Sequence, residues 1–410
     1  MKLRIGFHAE NDMPVWRAGA LGAMASLAVG VSAFPAIAGD DECVIFDELA
    51  SVDVPISILN YTIELDDSLL YLSTGIREAQ VFDISDVTNP ALMGGLGVGH
   101  HFQLVTDICL QDDIAYLSTI VEGGFFIVDM SDPAAPVTLG QIDGLSLYNV
   151  IAVGDLVYSA GPLPGTTNDP GFYIIDVADP SSPTIVSVTG TPGAAYSEAV
   201  EVKGNTAYIP AGDAGLIVMD VSDPLNPVMT GSLASLDSTL DVQIIGTRAY
   251  IADRDGGLRI ADVSDPSSIA VLGGLPTVGA MSQVQVIDNI CYATVREGGV
   301  FAFDVSDPSA IALVGTIPVI NPWMTDLGIE DGVLFTAETN LLRVYSVDDQ
   351  CSASCESVAD MNNDGVLNFF DISIFLNAYV AGDPIADLNH DGALNFHDGS
   401  AFLGAYAGGC

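Results

Sequence analysis

The chain has 410 residues and carries 54 Asp plus Glu against 10 Lys plus Arg, a formal net charge of -44. Charge of that sign and size repels nucleic acid and anionic membranes, leaving cations, neutral glycans or neutral proteins as the partners to look for. The length suffices for a sizeable core and for two or three domains.

Near the N-terminus, Lys2, Arg4 and Arg17 precede a small-residue apolar run from Ala18 to Ala38, followed by acidic Gly39-Asp40-Asp41-Glu42. Ala36-Ile37-Ala38 fits a signal-peptidase site, so residues 1–38 read as an export signal. The alternative is a membrane anchor, because the run approaches spanning length. Its Ala and Gly content and its cleavage-like end favour removal. Later apolar stretches are short and broken by Asp, Gly and Pro, so the mature protein is expected to have no transmembrane anchor. It should be soluble and secreted, extracellular or associated with the cell surface.

From residue 43 to residue 347 the chain repeats itself. Phe82-Asp-Ile-Ser-Asp86, Val128-Asp-Met-Ser-Asp-Pro133, Ile175-Asp-Val-Ala-Asp-Pro180, Met219-Asp-Val-Ser-Asp-Pro224, Ala261-Asp-Val-Ser-Asp-Pro266 and Phe303-Asp-Val-Ser-Asp-Pro308 mark successive units. Each unit divides into four short strands, as in Leu240–Ile245, Ala249–Ala252, Gly257–Val263 and Ala270–Gly273, which is the blade of a β-propeller. The second-strand signature, from Leu69-Leu-Tyr-Leu72 to Val333-Leu-Phe-Thr336, predicts an all-β propeller of seven blades. The last unit stops after a third strand at Val347, so the segment Cys43–Ala50 is predicted to supply its outer strand and close the ring. Blades packed on both faces account for strands rich in Val, Ile, Leu and Ala. The Asp-Val-Ser-Asp-Pro segments read as turns, with Pro fixing φ and Asp or Ser accepting turn N–H groups.

Residues 348–354 read as a linker and residues 355–410 as a small α-helical domain built on two calcium loops. Asp360-Met-Asn-Asn-Asp-Gly-Val-Leu-Asn-Phe-Phe-Asp371 returns as Asp387-Leu-Asn-His-Asp-Gly-Ala-Leu-Asn-Phe-His-Asp398. Oxygen ligands at loop positions 1, 3, 5, 7, 9 and 12, with Gly at 6, wrap a chain around one hard cation. The predicted ligands are Asp360, Asn362, Asp364, the Val366 carbonyl, Asn368 and Asp371 for one Ca²⁺. A second Ca²⁺ takes Asp387, Asn389, Asp391, the Ala393 carbonyl, Asn395 and Asp398. A helix follows each loop, Ile372–Val380 and Gly399–Ala407, with Phe375, Leu376 and Tyr379 repeated by Phe402, Leu403 and Tyr406. So small a domain is expected to couple folding to ion binding.

The paired loops and helices of residues 355–410 resemble a type I dockerin. The Cys-terminated form is similar to C-terminal dockerin-like anchors of exported planctomycete proteins. The Gly-Leu-x-Ile-x-Asp-Val-Ser-Asp-Pro units resemble LVIVD-repeat propellers. The resemblance implies docking onto a cohesin-like or other cell-surface receptor, often in polysaccharide-degrading assemblies. Loop positions 10 and 11, commonly small and hydroxylated in dockerins, hold Phe369 and Phe370, then Phe396 and His397.

Six cysteines in an exported chain permit several pairings. Cys355 with Cys410 would clamp the calcium module, and Cys43 with Cys351 would staple the ring closure. A local Cys351–Cys355 bridge is the competing arrangement. Cys109 and Cys291 lie in strand patterns and read as buried thiols. His100-His101 lacks the spacing of a zinc site. Arg254 between Asp253 and Asp255, and Arg296 beside Glu297, occupy equivalent Gly-rich turns and read as surface turn residues, and the insertion Gly161–Gly171 is the candidate recognition loop. With no nucleophile elbow, phosphate loop or zincin helix, the reading is an exported binding or scaffold protein with a monomeric propeller and a possible glycan ligand. The alternative is a secreted polysaccharide hydrolase or lyase.

Overall fold

The computed structural model describes residues 44–54, 62–74, 78–97, 104–120, 123–166, 169–191, 199–234, 237–277, 279–296, 298–318, 326–338, 341–349, 359, 361, 369–381, 384–388 and 394–408. Seven four-stranded antiparallel sheets are present, each a blade of the ring. Six blades take their strands in chain order. The seventh orders them as Asp326–Glu330, Val333–Glu338, Leu341–Asp349 and, outermost, Val44–Asp53.

The closing strand runs antiparallel to its partner from Val44 opposite Asp349 to Asp53 opposite Leu341. Asp348 and Asp349, read as linker, thus belong to the propeller. The joint carries a charge cluster. Arg343 Nη1 donates to both Glu48 oxygens at 3.1 and 2.9 Å, and Arg343 Nε lies 3.1 Å from Glu338 Oε1. Glu48 comes from the first strand of the chain and Glu338 from near its last. One guanidinium thus ties the two ends together.

Within a blade the hairpin between first and second strands is tight. It needs left-handed backbone, supplied by Gly246 at φ 59° in blade five and by Asp331 and Gly332 at 48° and 74° in blade seven. Second and third strands are almost wholly buried, as in Tyr208–Pro210 and Leu216–Met219 of blade four. The outer strands are not. Val228 and Val271 are 58% and 50% exposed, so burial on both faces stops at the third strand.

The Asp-Val-Ser-Asp-Pro turns are hydrogen-bonded units. Asp220 Oδ1 accepts from Ser222 N at 2.8 Å and Asp223 Oδ1 from Leu225 N at 3.1 Å, and Asp262 and Asp265 repeat this with Ser264 and Ser267. The Ser222 hydroxyl and N–H hold the Asp220 carboxyl below its usual range, so it stays charged.

The turn's proline also touches the preceding blade. Each outer strand of blades one to six carries a bulge, and the residue after it faces that proline or, at the joint, Val44. At Gly231 and Gly273 a Cβ would overlap the carbonyl oxygens of Pro266 and Pro308. Blade three has Ser187 there, and its hydroxyl donates to the Pro224 carbonyl at 2.7 Å.

In the C-terminal region two helices are described, α1 at Phe369–Ala381 and α2 at Phe396–Gly408. Both start three residues before their predicted bounds, bringing Asp371 and Asp398 inside the helices. Phe375 and Phe402 stack at 4.3 Å between ring centres, over Ala359, Met361, Ala378 and Ala386. Leu376 and Leu403, expected in that apolar face, are instead 53% and 64% exposed.

Replacing Gly273 by Ala should cost about 2–3 kcal/mol, because the backbone of two blades must separate. Val271→Thr, on the exposed side of the same strand, should stay within about 0.5 kcal/mol. Urea unfolding of both variants checks the contrast.

Candidate functional site

The innermost strand of each blade has one free edge, and seven such edges surround the central lumen, a cavity of about 470 Å³. Side chains alternate along a strand, so every second residue of these strands lies on the same face of its blade. Counted back from the second-strand aromatic (Tyr71, Tyr116, Tyr158, Tyr208, Tyr250, Tyr292, Phe335), two rings result. Nine residues before it stand Thr62, Asp107, Asn149, Ala199, Asp241, Gln283 and Asp326. Seven before it stand Glu64, Cys109, Ile151, Glu201, Gln243, Gln285 and Gly328.

These side chains reach sideways to the edge N–H groups of the next blade. Asp107 Oδ2 accepts from Val150 N and Asn149 Nδ2, both at 2.8 Å, and Asp241 Oδ2 accepts from Val284 N at 2.9 Å. Gln243 Oε1 takes Val286 N at 2.5 Å. Gln283 and Gln285 each bond twice, accepting from Leu327 N at 2.8 Å and Ile329 N at 3.1 Å and donating to the same residues' carbonyls. Asp326 closes the ring by accepting from Ile63 N at 2.6 Å. An amide matches the donor and acceptor of a strand edge together, whereas a carboxylate satisfies only the donor.

Burial and mutual repulsion raise the carboxyl groups. Asp107 and Asp241 are pushed up to about 6 by burial, and Asp326 is raised well above its ordinary range by burial, with Asp107 adding to it. Glu64 is pushed up to about 8, first by burial and then by Asp107. Burial also raises Glu201, against the pull of Lys203 at 3.2 Å. Glu64 therefore keeps its proton at neutrality, while Asp107 and Asp241 give theirs up at a higher pH than surface carboxyls do.

None of these lumen residues was among the sequence candidates. Their signal is a polar residue nine positions before the second-strand aromatic in six of the seven blades, Ala199 being the exception, hidden because each inner strand also reads as an ordinary alternating strand. Asp253, read as a surface turn acid beside Arg254, is fully buried and pairs with Arg259 at 3.1 Å. Its Oδ1 accepts from Asp237 N at 3.3 Å. The insertion Gly161–Gly171 begins and ends as a strand extension, Leu156–Pro162 pairing with Pro170–Asp176, and between them Leu163 N donates to the Asp169 carbonyl at 2.6 Å and Thr166 N to the Leu163 carbonyl at 3.0 Å.

Of the predicted calcium ligands, Asp360, Asn362, Asp364, Val366, Asn368, Asn389, Asp391 and Ala393 lie outside the described residues. Asp387 follows a short 3-10 turn, Pro384–Ala386. Asn395 caps α2: its Oδ1 accepts from His397 N at 2.9 Å, while the buried Asp398 carboxylate accepts from Asn395 N at 2.8 Å. That reciprocal cap buries the carboxylate at the twelfth position of the second predicted loop. Among the described residues no group of three His, Cys, Asp or Glu side chains gathers as a metal centre. Cys109 and Cys291 are unpaired thiols, Cys291 buried and Cys109 accepting from Ala152 N at 3.3 Å. Cys43, Cys351, Cys355, Cys410, His100 and His101 lie outside the described residues.

The LVIVD repeat family matches residues 105–143, 167–191, 194–235, 238–277 and 278–318. The chain therefore carries LVIVD repeats, the matched residues falling in blades two to six. No curated protein matches the chain. Among solved structures, the computationally designed Ika8 protein is similar in fold, with TM-score 0.55 and 13% identity over 73% of this chain and 99% of that one. Among the described residues no helix is long and apolar enough to cross a membrane.

Each raised carboxyl binds more protons in the folded than in the unfolded chain, so stability is greatest below the ordinary carboxyl range and falls as pH rises. Melting temperature should decline between about pH 5 and about pH 8, the window set by Asp107, Asp241 and Glu64. Asp107→Asn keeps an acceptor for Val150 N and should flatten that decline; a pH series of thermal melts on both proteins measures it.

Proposed function

We propose that this is an exported binding or scaffold protein whose propeller presents a recognition surface. Its C-terminal region anchors it, in a calcium-dependent way, to a cell-surface or extracellular assembly. The propeller half of this reading is carried by the use of the lumen carboxylates. Asp107, Asp241 and Asp326 spend oxygens on the next blade's N–H groups, which is scaffold chemistry. The Asp-Val-Ser-Asp-Pro acids are likewise committed to turns.

Support for the anchor is the duplicated 12-residue spacing and the buried Asp398 with its Asn395 cap. In this reading two Ca²⁺ are held by Asp360, Asn362, Asp364, Val366, Asn368 and Asp371, and by Asp387, Asn389, Asp391, Ala393, Asn395 and Asp398. Bound Ca²⁺ supplies charge neutralisation that lets two acidic loops close. The receptor is a cohesin-like or other surface protein, met by the aromatic and apolar residues around α1 and α2. The Cys355–Cys410 and Cys43–Cys351 bridges belong to the same proposal, as does removal of residues 1–38.

A second reading, a polysaccharide hydrolase or lyase, draws on Glu64 and Asp107. Their raised protonation and electrostatic coupling are features of acid–base pairs. Release of reducing ends from polysaccharide, lost in Glu64→Gln, would favour it over the scaffold reading.

Calorimetric titration of the full chain with Ca²⁺ should give two ions bound and an upward melting shift. At hundredfold excess over the dissociation constant, the gain is about 3 kcal/mol per site in the region that binds. Asp364→Ala with Asp391→Ala should abolish uptake. No uptake by the unaltered chain would remove the anchor proposal.

A further inference from the structure

The lumen staples are missing in one sector. They join blades two to three, five to six, six to seven and seven to one, and a longer contact of 3.4 Å from Leu110 N to Glu64 joins one to two. Between blades three and four the facing residues are Asn149 and Ile151, and between four and five they are Ala199 and Glu201. Among the described residues none of these four accepts from the next inner strand. Among the described residues the edge N–H groups of Val200, Val202 and Ile244 thus find no side-chain acceptor in the preceding blade. Asn149 Oδ1 is buried without a hydrogen-bond partner, although its Nδ2 is fixed on Asp107.

The sector combines unlike groups. Backbone donors come from the inner strands of blades four and five, and acceptors come from Asn149 and Glu201. Ile151 and Ala199 give the wall an apolar patch beside them, and Lys203 sits 3.2 Å from Glu201. A bare cation would meet the N–H donors and Lys203. An anion would meet Glu201, Asp107 and Asp241 in the same cavity. A hydroxyl group both donates and accepts, and a sugar ring adds C–H faces for Ile151 and Ala199.

We infer that this gap in the lumen, formed by Asn149, Ile151, Ala199, Glu201 and the edges of blades four and five, is a binding site for a small neutral hydroxyl-rich molecule such as a hexose unit. The inference deepens the reading of the propeller as a binding module. It uses no residue of the calcium loops, so the two stand or fall separately. Asn149 Oδ1 and Glu201 accept ligand hydroxyls, Val202 and Ile244 N–H donate to them, and the staples elsewhere hold the opposite wall rigid. Blade four is the place for such a gap: its inner strand, Glu201–Lys203, has three residues, the shortest of the described strands.

The test uses the full chain titrated calorimetrically with D-glucose, D-galactose and D-mannose, and with D-glucuronate as the charged control. At least one neutral hexose should bind with a millimolar or tighter constant and glucuronate about tenfold more weakly. Glu201→Ala should weaken hexose binding about tenfold or more. Ala199→Gln places an amide where blade six has Gln283; it should restore a staple to blade five, raise the melting temperature and abolish hexose binding. Absence of hexose binding to the unaltered chain, equal binding of glucuronate, or unchanged hexose binding in both variants would each overturn the proposal. Calcium uptake measured on the same samples reads the anchor independently.

Discussion

Seven unpaired strand edges meet in the middle of this molecule, and the fold depends on how their backbone N–H groups are satisfied. A buried unpaired donor costs on the order of 1–3 kcal/mol, so several left open would consume a large part of a domain's net stability. The chain meets this demand with side chains, sending Asp and Gln from one blade to the edge of the next. The same bonds that satisfy the backbone therefore set the register between blades. Apolar packing alone, which slides without directional penalty, does not fix that register.

Two further contacts serve the same end at larger radius. Proline carbonyls of the Asp-Val-Ser-Asp-Pro turns lie against the residue after the outer-strand bulge of the preceding blade, a glycine except at Ser187, so the repeat's most visible motif is also a spacer between blades. At the joint, where a repeat unit cannot supply its own outer strand, Arg343 bridges Glu48 and Glu338. Burial raises Glu338 while Arg343 draws it down, and removing the guanidinium would leave two acids facing each other. Inner edge, outer bulge and joint thus each carry a directional contact.

Seven blades, their four strands and the closure by the N-terminal segment were legible because they rest on period and on turn residues, both local properties. The lumen was not legible for a physical reason. Asp241 and Gln243 look like the polar half of any half-exposed strand, and only the ring brings them beside Val284 and Val286, about forty residues on. Asp253 misled for a similar reason: in sequence it neighbours Arg254 and Asp255, while in space its partner is Arg259 across a hairpin. The helices α1 and α2 were legible, but their starts were placed late, because the residue predicted to end each loop lies in the first turn of the helix, where Asp398 accepts from Asn395 N.

Lumen carboxyls held above their usual range also give the propeller a bias toward acid, which a chain of net charge -44 shares through its overall repulsion at higher pH. Whether side chains truly hold the inner edges is read most directly by amide hydrogen exchange resolved to single residues. Val150, Val284, Leu327 and Ile329 should be protected at the level of the blade interiors, while Val200, Val202 and Ile244 exchange markedly faster. Equal protection across all seven inner strands, or rapid exchange at Leu327 and Ile329, would contradict the account.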